Sequence, residues 1–307
     1  MVSFLVGTRS SDLAMTQARQ VRDALARHGL DAELKPITTR GDVDQTPLSR
    51  LGGIGVFADA VRTALLSGEI DLAVHSLKDL PTGSAAGLRI ACVPTREDPH
   101  DALVSRDGIG LDDLPDGARV GTGSPRRAAQ VRARRPGLVV VDLRGNVPTR
   151  VARVLGQDAD LDAVVLANAG LRRLGLADVV SEVLDFAWAP GQGCLAVESK
   201  VDTDPGLATV LALLEDPEAR RAAAAERSVL EGLGSGCAAP VGVTTDLSRG
   251  VLTAVVMSLD GTERVVLETQ LPASPEGCRK AGLGLAADLL AAGAGAICDL
   301  SSPGSRQ

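Results

Sequence analysis

Residues 118–130 read ARVGTGSPRRAAQ, which is an apolar strand pattern, a glycine-containing turn and then the start of a helix. Pro125 suits the first turn of that helix, because the backbone N–H that proline lacks would have no helical partner there. A helix that follows a strand after such a short turn is typical of α/β folds, in which helices cover a sheet. This stretch therefore predicts an α/β unit, and its neighbours extend the pattern in both directions.

The same alternation of strand and helix patterns runs through the first two-thirds of the chain. The expected strands are SFLVGT, AELKPITT, IDLAVHS and LRIACVP before this unit, and LVVVDL and LDAVVLA after it. The first helix should be capped by Ser10, Ser11 or Asp12 and should end near His28, before Gly29. Repeated βαβα order of this kind predicts mostly parallel sheets covered by helices.

Two stretches with charges, proline or glycine interrupt this order, TREDPHDAL at 95–103 and FAWAPGQG at 186–193. We interpret them as crossings between two hinged, doubly wound α/β lobes that are periplasmic-binding-protein-like, with a ligand cleft between the lobes. After about Asp216, a long helix, three strand patterns with short turns and a final helix predict a small C-terminal α/β domain with a three-stranded antiparallel sheet. The predicted domains are residues 1–96 with 195–215, residues 97–194, and residues 216–307.

The composition argues against several classes of function. Aromatic residues make up 1% of the 307 residues and the net charge is −7, which argues against a nucleic-acid-binding surface. Five scattered cysteines without a CxxC pair and three separated histidines predict no metal site, and they are typical of a reducing compartment. The first apolar run is too short for a signal peptide and no stretch is long enough to span a membrane, so we expect a cytoplasmic protein.

Three strand–helix junctions combine basic residues with hydroxyl groups: GTRSSDLA at 7–14, GTGSPRR at 121–127 and LRGNVPTR at 143–150. Backbone N–H groups at a helix start attract anions, and a guanidinium group binds carboxylate or phosphate through two parallel hydrogen bonds. A genomic bias toward arginine on solvated helix faces is the alternative, above all for Arg132, Arg134 and Arg135. Together the junctions predict a ligand that carries several negative groups.

Two other stretches carry residues that suit chemistry. In DLAVHSLKDLPT at 71–82, Lys78 and Asp79 follow the end of a strand, where open α/β sheets bind ligands. Asp79 could instead pair with Lys78 alone, and we interpret His75 as a packed core residue. In GSGCAAP at 234–240, Cys237 has small neighbours that leave its sulfur approachable, as either a functional group or an ordinary exposed thiol.

Together with these motifs, the stretches TRGDVDQTPLSRLGG, GVF, REDPHDAL, LANAGLRRLGL and PGQGCLAVE stand in an order and at spacings that resemble one family. The chain resembles the porphobilinogen deaminase (hydroxymethylbilane synthase) family from near its N-terminus to beyond Cys237. The resemblance implies a monomeric, three-domain transferase of tetrapyrrole (porphyrin and haem) biosynthesis. Such enzymes join four porphobilinogen molecules head to tail with loss of ammonia, and water then releases hydroxymethylbilane. The product is normally passed to uroporphyrinogen III synthase.

The resemblance also implies roles for single residues. A dipyrromethane cofactor is linked by a thioether to Cys237, and Asp79 is the catalytic carboxylate that stabilises the methylene-pyrrole cation left when ammonia departs. The implied cofactor contacts are Ser76, Lys78, Thr122, Ser124, Arg126, Arg127, Arg144 and Arg150, and the implied substrate contacts are Arg9, Ser11 and Arg173. Arg96 is a basic position of lower rank, and Gln192 is expected to line the hinge.

Of the positions that depart from the family pattern, two bear on contacts of the site. Ile54 stands where many members have a basic residue and His100 stands where arginine is common, so one cofactor contact and one salt link of the family need not exist here. The rival hypothesis is a non-enzymatic, two-lobed protein that binds or senses a small carboxylate. That protein would need no third domain, no free thiol and no acid beside the anion site, so the sequence favours the transferase.

Overall fold

The strands and helices follow the alternation expected from the sequence. The structure, a computed structural model, describes residues 3–38, 58–236 and 239–300. Its strands in chain order are β1 (Phe4–Arg9), β2 (Ala32–Ile37), β3 (Leu72–Ser76), β4 (Leu88–Cys92), β5 (Asp101–Ser105), β6 (Arg119–Gly121), β7 (Val139–Val141), β8 (Ala163–Ala167), β9 (Glu182–Leu184), β10 (Leu195–Lys200), β11 (Val241–Asp246), β12 (Val251–Met257) and β13 (Arg264–Gln270). Its α-helices are α1 (Asp12–Arg27), α2 (Asp59–Ser67), α3 (Pro125–Arg134), α4 (Val147–Leu155), α5 (Asn168–Arg173), α6 (Pro205–Leu214), α7 (Pro217–Gly232), α8 (Pro275–Ala291) and α9 (Ala294–Ile297). One-turn 3₁₀ helices lie at Leu77–Asp79, Leu111–Asp113 and Ala177–Val179.

The first sheet has the strand order β2-β1-β3-β10-β4 in the described part of the chain. β1 runs parallel to β2 and β3, whereas β10 runs antiparallel to both of its neighbours, β3 and β4. β1, β2, β3 and β4 therefore share one direction, as the prediction of a mostly parallel sheet requires. That prediction does not hold for the two pairings that β10 makes. The reason is that β10 arrives from the second lobe at the edge where the other strands end, so it must run back across the sheet.

The second sheet repeats this arrangement in the order β7-β6-β8-β5-β9. β6 is parallel to β7 and β8, and β5 is antiparallel to β8 and β9. Asp101 at the start of β5 pairs with Ala167 at the end of β8, just as Leu195 at the start of β10 pairs with Ser76 at the end of β3. Each crossing thus enters its sheet at the edge where α/β sheets bind ligands.

The three C-terminal strands form the predicted antiparallel sheet, in the order β11-β12-β13. Helices α7 and α8 pack against it and enclose a core of small and aliphatic side chains, in which Cys278 is fully buried. Two mixed α/β lobes and this small sheet confirm the predicted fold class. Each sheet draws its strands from one of the predicted domains, while the domain boundaries themselves stay a prediction.

The two crossings between the lobes lie side by side. The backbone N–H of Glu97 donates to the carbonyl oxygen of Gly193 at 3.2 Å, and Arg96 Nε donates to the carbonyl oxygen of Gln192 at 2.8 Å. Gly193 has a φ of +86°, and a Cβ there would lie 2.1 Å from the Glu97 carbonyl oxygen. Both the left-handed backbone and the close approach require glycine at this position.

The sequence patterns do not predict α5, α6 or β9. The stretch PGLATVLALL of α6 is apolar on all sides, so it lacks the helical period that marks a half-buried helix. Leu207 and Leu211 place α6 on the first sheet, where they join the apolar cluster around Cys92. Across the described ranges, no helix is long and apolar enough to cross a membrane.

Candidate active site

The turn after β3 presents the residues expected to carry out chemistry. Leu77–Asp79 form a single 3₁₀ turn, which leaves Asp79 exposed and Lys78 half-buried. Ser76, the last residue of β3, accepts a hydrogen bond from the Gln17 side-chain amide at 2.8 Å. The short turn therefore places a carboxylate and an ammonium group together at the edge where the strands end.

Asp79 lines a pocket formed by the ends of β1 and β3 and the start of α1. The pocket measures about 440 Å³ when the solvent-filled space at its mouth is included, and Arg9, Ser11 and Ser76 line it together with Asp79. Ser11 also caps α1, because its Oγ accepts from the backbone N–H of Ala14 at 3.4 Å. Two predicted substrate contacts and one predicted cofactor contact thus lie beside the predicted catalytic carboxylate.

Two helix starts of the second lobe carry hydroxyl and guanidinium groups, as the sequence indicates. Ser124 caps α3 by accepting from the Arg127 N–H at 3.5 Å, and Thr122 Oγ1 accepts from the Ser124 N–H at 3.3 Å. At the next junction Arg150 lies in the first turn of α4, and its Nε donates to the Gly145 carbonyl oxygen at 2.7 Å. The first N–H groups and the dipole of each helix favour negative charge, so both helix starts suit acidic ligand groups.

Asp101 is a buried carboxylate that lies between the buried side chains of Arg126 and Arg127. Arg126 Nη1 donates to Asp101 Oδ2 at 2.7 Å, and Arg127 Nε donates to Asp101 Oδ1 at 2.8 Å. Burial would raise the pKa of Asp101, but the two guanidinium groups hold it well below its usual range. Among the described residues, Arg126 Nε is buried and has no hydrogen-bond partner, so one carboxylate does not satisfy both arginines.

Gln192 connects this arginine pair to the turn in the first lobe. Its Oε1 accepts from Lys78 Nζ at 3.1 Å and from Arg127 Nη2 at 3.2 Å. Its Nε2 donates to Asp101 Oδ1 at 2.9 Å and to the Pro99 carbonyl oxygen at 2.7 Å. One buried amide from the second crossing therefore joins both lobes to the first crossing.

Positive charge predominates where the two lobes meet. Burial, and then the neighbouring Arg127, lowers the pKa of Lys78 to about 8, although Asp79 acts in the opposite direction. Burial, and then Arg127 and Arg144, lowers the pKa of Arg150 to about 10, and Asp79 again opposes the shift. Added carboxylates stabilise crowded, poorly hydrated cations, so these residues fit a group with several acid arms, such as a dipyrromethane.

Other residues singled out in the sequence lie at the crossings. Arg173 Nη2 donates to the Gly193 carbonyl oxygen at 2.7 Å, and burial lowers the pKa of Arg173. His100, at the position where the family often has arginine, pairs its Nδ1 with Asp98 Oδ1 at 2.6 Å. Two further positions lie outside the described residues, namely Cys237 and Ile54.

The sequence patterns did not single out Glu226, which is a second buried carboxylate, and they gave its partner Arg96 a low rank. Arg96 donates from both terminal nitrogens to Glu226, at 2.8 and 2.9 Å. Glu226 is fully buried and also accepts from Trp188 Nε1 at 3.0 Å and from the Gly191 N–H at 2.8 Å. A single acid in a strand or in an Ala-rich helix usually lies at the surface, so neither Asp101 nor Glu226 is conspicuous in the sequence.

Comparison with known families identifies the class of protein to which this site belongs. Residues 4–206 match the family model described as "Porphobilinogen deaminase, dipyromethane cofactor binding domain". Residues 221–291 match the model described as "Porphobilinogen deaminase, C-terminal domain". The fold, the cation cluster and these matches define a transferase that uses a dipyrromethane cofactor.

Individual relatives agree with the family models. The porphobilinogen deaminase of Cutibacterium acnes is 50% identical, and the match covers 99% of each chain. That of Leifsonia xyli subsp. xyli is 49% identical over 96% of this chain and 94% of the relative. The chain belongs to the porphobilinogen deaminase family. Among solved structures, the methionine-binding protein MetQ is 17% identical with a TM-score of 0.44, over 72% of this chain and 93% of that chain, which is too weak a similarity to bear on function.

Proposed function

We propose that Asp79, the cations around it and Cys237 carry out the reaction of the porphobilinogen deaminase family in this chain. The reaction joins four porphobilinogen molecules head to tail and yields hydroxymethylbilane for porphyrin and haem biosynthesis. In each round the aminomethyl carbon of porphobilinogen loses ammonia, a carbon–carbon bond forms to the free α-carbon of the terminal pyrrole, and that α-carbon loses a proton. At the end, water cleaves the bond to the primer: its hydroxyl group goes to the methylene carbon and its hydrogen to the primer.

Asp79 stabilises the cation that forms when ammonia leaves. The positive charge of the methylene-pyrrole spreads onto the ring nitrogen, and a fixed carboxylate beside the pyrrole N–H groups interacts with that charge as it develops. Asp79 suits this role because its side chain is exposed, lines the pocket and follows β3 within a single 3₁₀ turn. Arg9, Ser11 and Arg173 are the proposed contacts of the incoming porphobilinogen.

The cations hold the acid arms of the growing chain. When bound, the dipyrromethane supplies the pyrrole carbon to which the first substrate molecule is joined. Each charge-assisted hydrogen bond contributes about 1.5–3 kcal/mol, so several are needed to replace the hydration of a polyanion. The proposed contacts are Ser76, Lys78, Thr122, Ser124, Arg126, Arg127, Arg144 and Arg150. Arg126 and Arg127 have little freedom to move, because Asp101 already accepts hydrogen bonds from both of them.

Cys237 is the proposed attachment point of the dipyrromethane. The support comes from the family, whose cofactor-binding domain and C-terminal domain both match this chain, and from the small residues that flank the cysteine. A glycine-rich neighbourhood suits a tether, because it leaves the sulfur uncovered and the backbone adaptable. The observation that carries the whole proposal is the hydrogen-bonded link Lys78–Gln192–Arg127, which joins the turn that bears Asp79 to the arginine pair of the second lobe.

Intact-mass analysis and steady-state kinetics test these roles. The wild-type protein should be heavier than its sequence by two pyrrole units, and Cys237→Ser should lack this mass. Asp79→Asn should keep the added mass but should turn over porphobilinogen roughly 10²–10³ times more slowly. Asp112→Asn, which changes an exposed carboxylate paired with Arg134, is the matched control and should keep the wild-type rate. An unmodified wild-type mass, or an Asp79→Asn variant with normal turnover, would contradict the proposal.

We also propose that the protein acts as a cytoplasmic monomer, with the three domains bounded as predicted, and that it passes hydroxymethylbilane to uroporphyrinogen III synthase. The support is that residues of a single chain supply both sides of the cleft and both crossings. Light scattering of the purified protein should give the mass of one chain, 31.5 kDa plus the primer. Hydroxymethylbilane transfer can be measured by adding the synthase and an excess of a trap for the free product.

A further inference from the structure

Arg227, on α7 of the C-terminal domain, binds the backbone around the turn that carries Asp79. Its Nη1 donates to the carbonyl oxygens of Leu77 at 3.0 Å and Leu80 at 2.9 Å, and its Nη2 donates to that of Pro81 at 2.6 Å. These three acceptors lie on both sides of Asp79 in the sequence. A guanidinium group presents its donors in a fixed plane, so a single side chain fixes the path of the backbone before and after the carboxylate.

Helix α7 also contacts both crossings between the lobes. Glu226, the neighbour of Arg227, accepts from Arg96 in the first crossing and from Trp188 in the second. Small side chains of the same helix pack on the turn itself, in an apolar cluster that includes Leu77, Leu80, Ala219 and Ala223. One helix of 16 residues therefore holds the catalytic turn and the connections between the lobes in a fixed relation.

The turn has little internal support of its own. Its internal hydrogen bond runs from the Leu80 N–H to the Leu77 carbonyl oxygen at 3.2 Å, and the Leu77 N–H donates to the Cys194 carbonyl oxygen at 3.0 Å. Arg227 adds three hydrogen bonds to this set. Two of its three acceptors, Leu80 and Pro81, lie after Asp79, where the chain leaves the turn.

We propose that Arg227 is a positioning residue for Asp79: through the three carbonyl groups it holds the carboxylate at the place where positive charge develops on the substrate. The inference rests on the catalytic role proposed for Asp79 above. A displacement of about 1 Å in a catalytic group can lower the rate by roughly 10²-fold. Loss of Arg227 therefore lowers turnover without removing any group that binds the acid arms of the substrate.

Kinetics of primer-loaded enzymes test this role, with the rate expressed per mole of protein that carries the primer by intact mass. The variants are Arg227→Gln, Arg227→Lys, Asp79→Asn and the double variant Arg227→Gln/Asp79→Asn. Arg221→Gln is the matched control, because Arg221 lies on the same helix but its Nη2 donates to the Pro272 carbonyl oxygen within the C-terminal domain, at 3.1 Å.

We expect Arg227→Gln to lower kcat by roughly 10²-fold with little change in KM. Arg227→Lys should lie between Arg227→Gln and wild type, because an ammonium group keeps the charge but loses the planar set of donors. Arg221→Gln should keep the wild-type kcat. In the Asp79→Asn background, Arg227→Gln should cause little further loss, because the group that it positions is already gone.

The outcomes separate this inference from the assignment on which it rests. Normal turnover by Asp79→Asn would remove the catalytic role of Asp79, and the positioning role with it. A slow Asp79→Asn variant together with a normal kcat for Arg227→Gln would overturn the positioning role alone. Losses that multiply in the double variant would show that Arg227 acts independently of Asp79. If both Arg227 variants lack the primer while Arg221→Gln carries it, Arg227 serves primer binding and the proposal is wrong.

Discussion

Replacement of Asp101 by asparagine tests what holds the buried arginine pair at the centre of the cleft. Asp101 accepts hydrogen bonds from Arg126 at 2.7 and 3.3 Å, from Arg127 at 2.8 Å and from Gln192 at 2.9 Å. Asparagine keeps one acceptor oxygen but directs an NH₂ group at a guanidinium donor. The variant therefore loses part of the hydrogen bonding and all of the charge that compensates two buried cations.

The expected loss in the free energy of unfolding follows from this geometry. Removal of one partner from a buried ion pair costs about 3–5 kcal/mol, because the remaining charge is left without compensation. With an m value of about 3 kcal/mol per M in urea, the unfolding midpoint should fall by roughly 1–1.7 M. Activity should fall as well, because Gln192 loses one of the partners that join it to the second lobe.

Asp112→Asn is the control for burial. Asp112 also accepts two hydrogen bonds from one arginine, Arg134, at 2.9 and 2.6 Å, but its side chain is 58% exposed. An exposed pair of this kind contributes about 0–1 kcal/mol, so the same substitution should barely move the urea midpoint. Equal losses in Asp101→Asn and Asp112→Asn would refute the argument that burial sets the cost.

The pH dependence gives a second check on Asp101. Its pKa in the folded protein lies well below the value of about 3.9 expected in the unfolded chain. The stability that its ionised form contributes is therefore complete above the unfolded pKa and is lost as the pH falls toward the folded pKa. Urea unfolding of wild type and Asp101→Asn should differ most at neutral pH, and the difference should shrink below about pH 4. A constant difference from pH 7 to pH 3 would assign the loss to packing instead.

Three other perturbations have clear expected results. Gly193→Ala should lower the thermal unfolding temperature far more than Gly108→Ala. Both glycines have a positive φ, but only at Gly193 would a Cβ lie 2.1 Å from another backbone oxygen. Similar losses in the two variants would mean that the backbone of the crossings can shift to make room for the Cβ. Lys78 has a pKa of about 8 in the folded protein and about 10.4 in the unfolded chain, so the unfolded chain holds this proton over that pH range and the free energy of unfolding should rise with pH. In the Cys237→Ser protein, the additional substitution Lys78→Met should abolish this rise. An unchanged slope would argue against the lowered pKa. Burial raises the pKa of Glu198, but its ion-pair partners hold that pKa at about 2. The ionised side chain therefore contributes stability that is complete above about pH 4.3 and is lost as the pH falls toward about 2. Glu198→Gln should remove this contribution, and acid unfolding of the variant should show a shallower transition.

Local chemistry made the helix starts of this protein predictable. Ser11 and Ser124 were expected near the starts of α1 and α3, and both cap their helices with the side-chain oxygen. Pro125 is the first residue of α3, as expected. These features depend on contacts between residues three positions apart, so a short stretch of sequence contains all the information that is needed.

Long-range contacts account for what the sequence did not predict. Nothing within residues 95–103 shows that β5 will enter its sheet against the direction of its neighbours, because that direction depends on where the first lobe ends. Asp101, Glu226 and Arg227 take their importance from partners that lie between 25 and 150 residues away in the chain. Their own neighbours in the sequence give no sign of burial, and only the packed structure separates them from surface charges.

The position of the site follows from the topology more than from any single motif. Because each crossing enters its sheet where the other strands end, the two crossings and the two ligand-binding edges must meet in one place. Gln192 shows how close that meeting is, since one amide contacts Lys78 of the first lobe and Arg127 of the second. Cations from two separate sheets are thereby crowded around Asp79, an arrangement that neither lobe could form alone. The crowding makes binding of an acidic primer favourable, and it requires that the lobes be held together by contacts such as those that α7 makes with the turn and with both crossings.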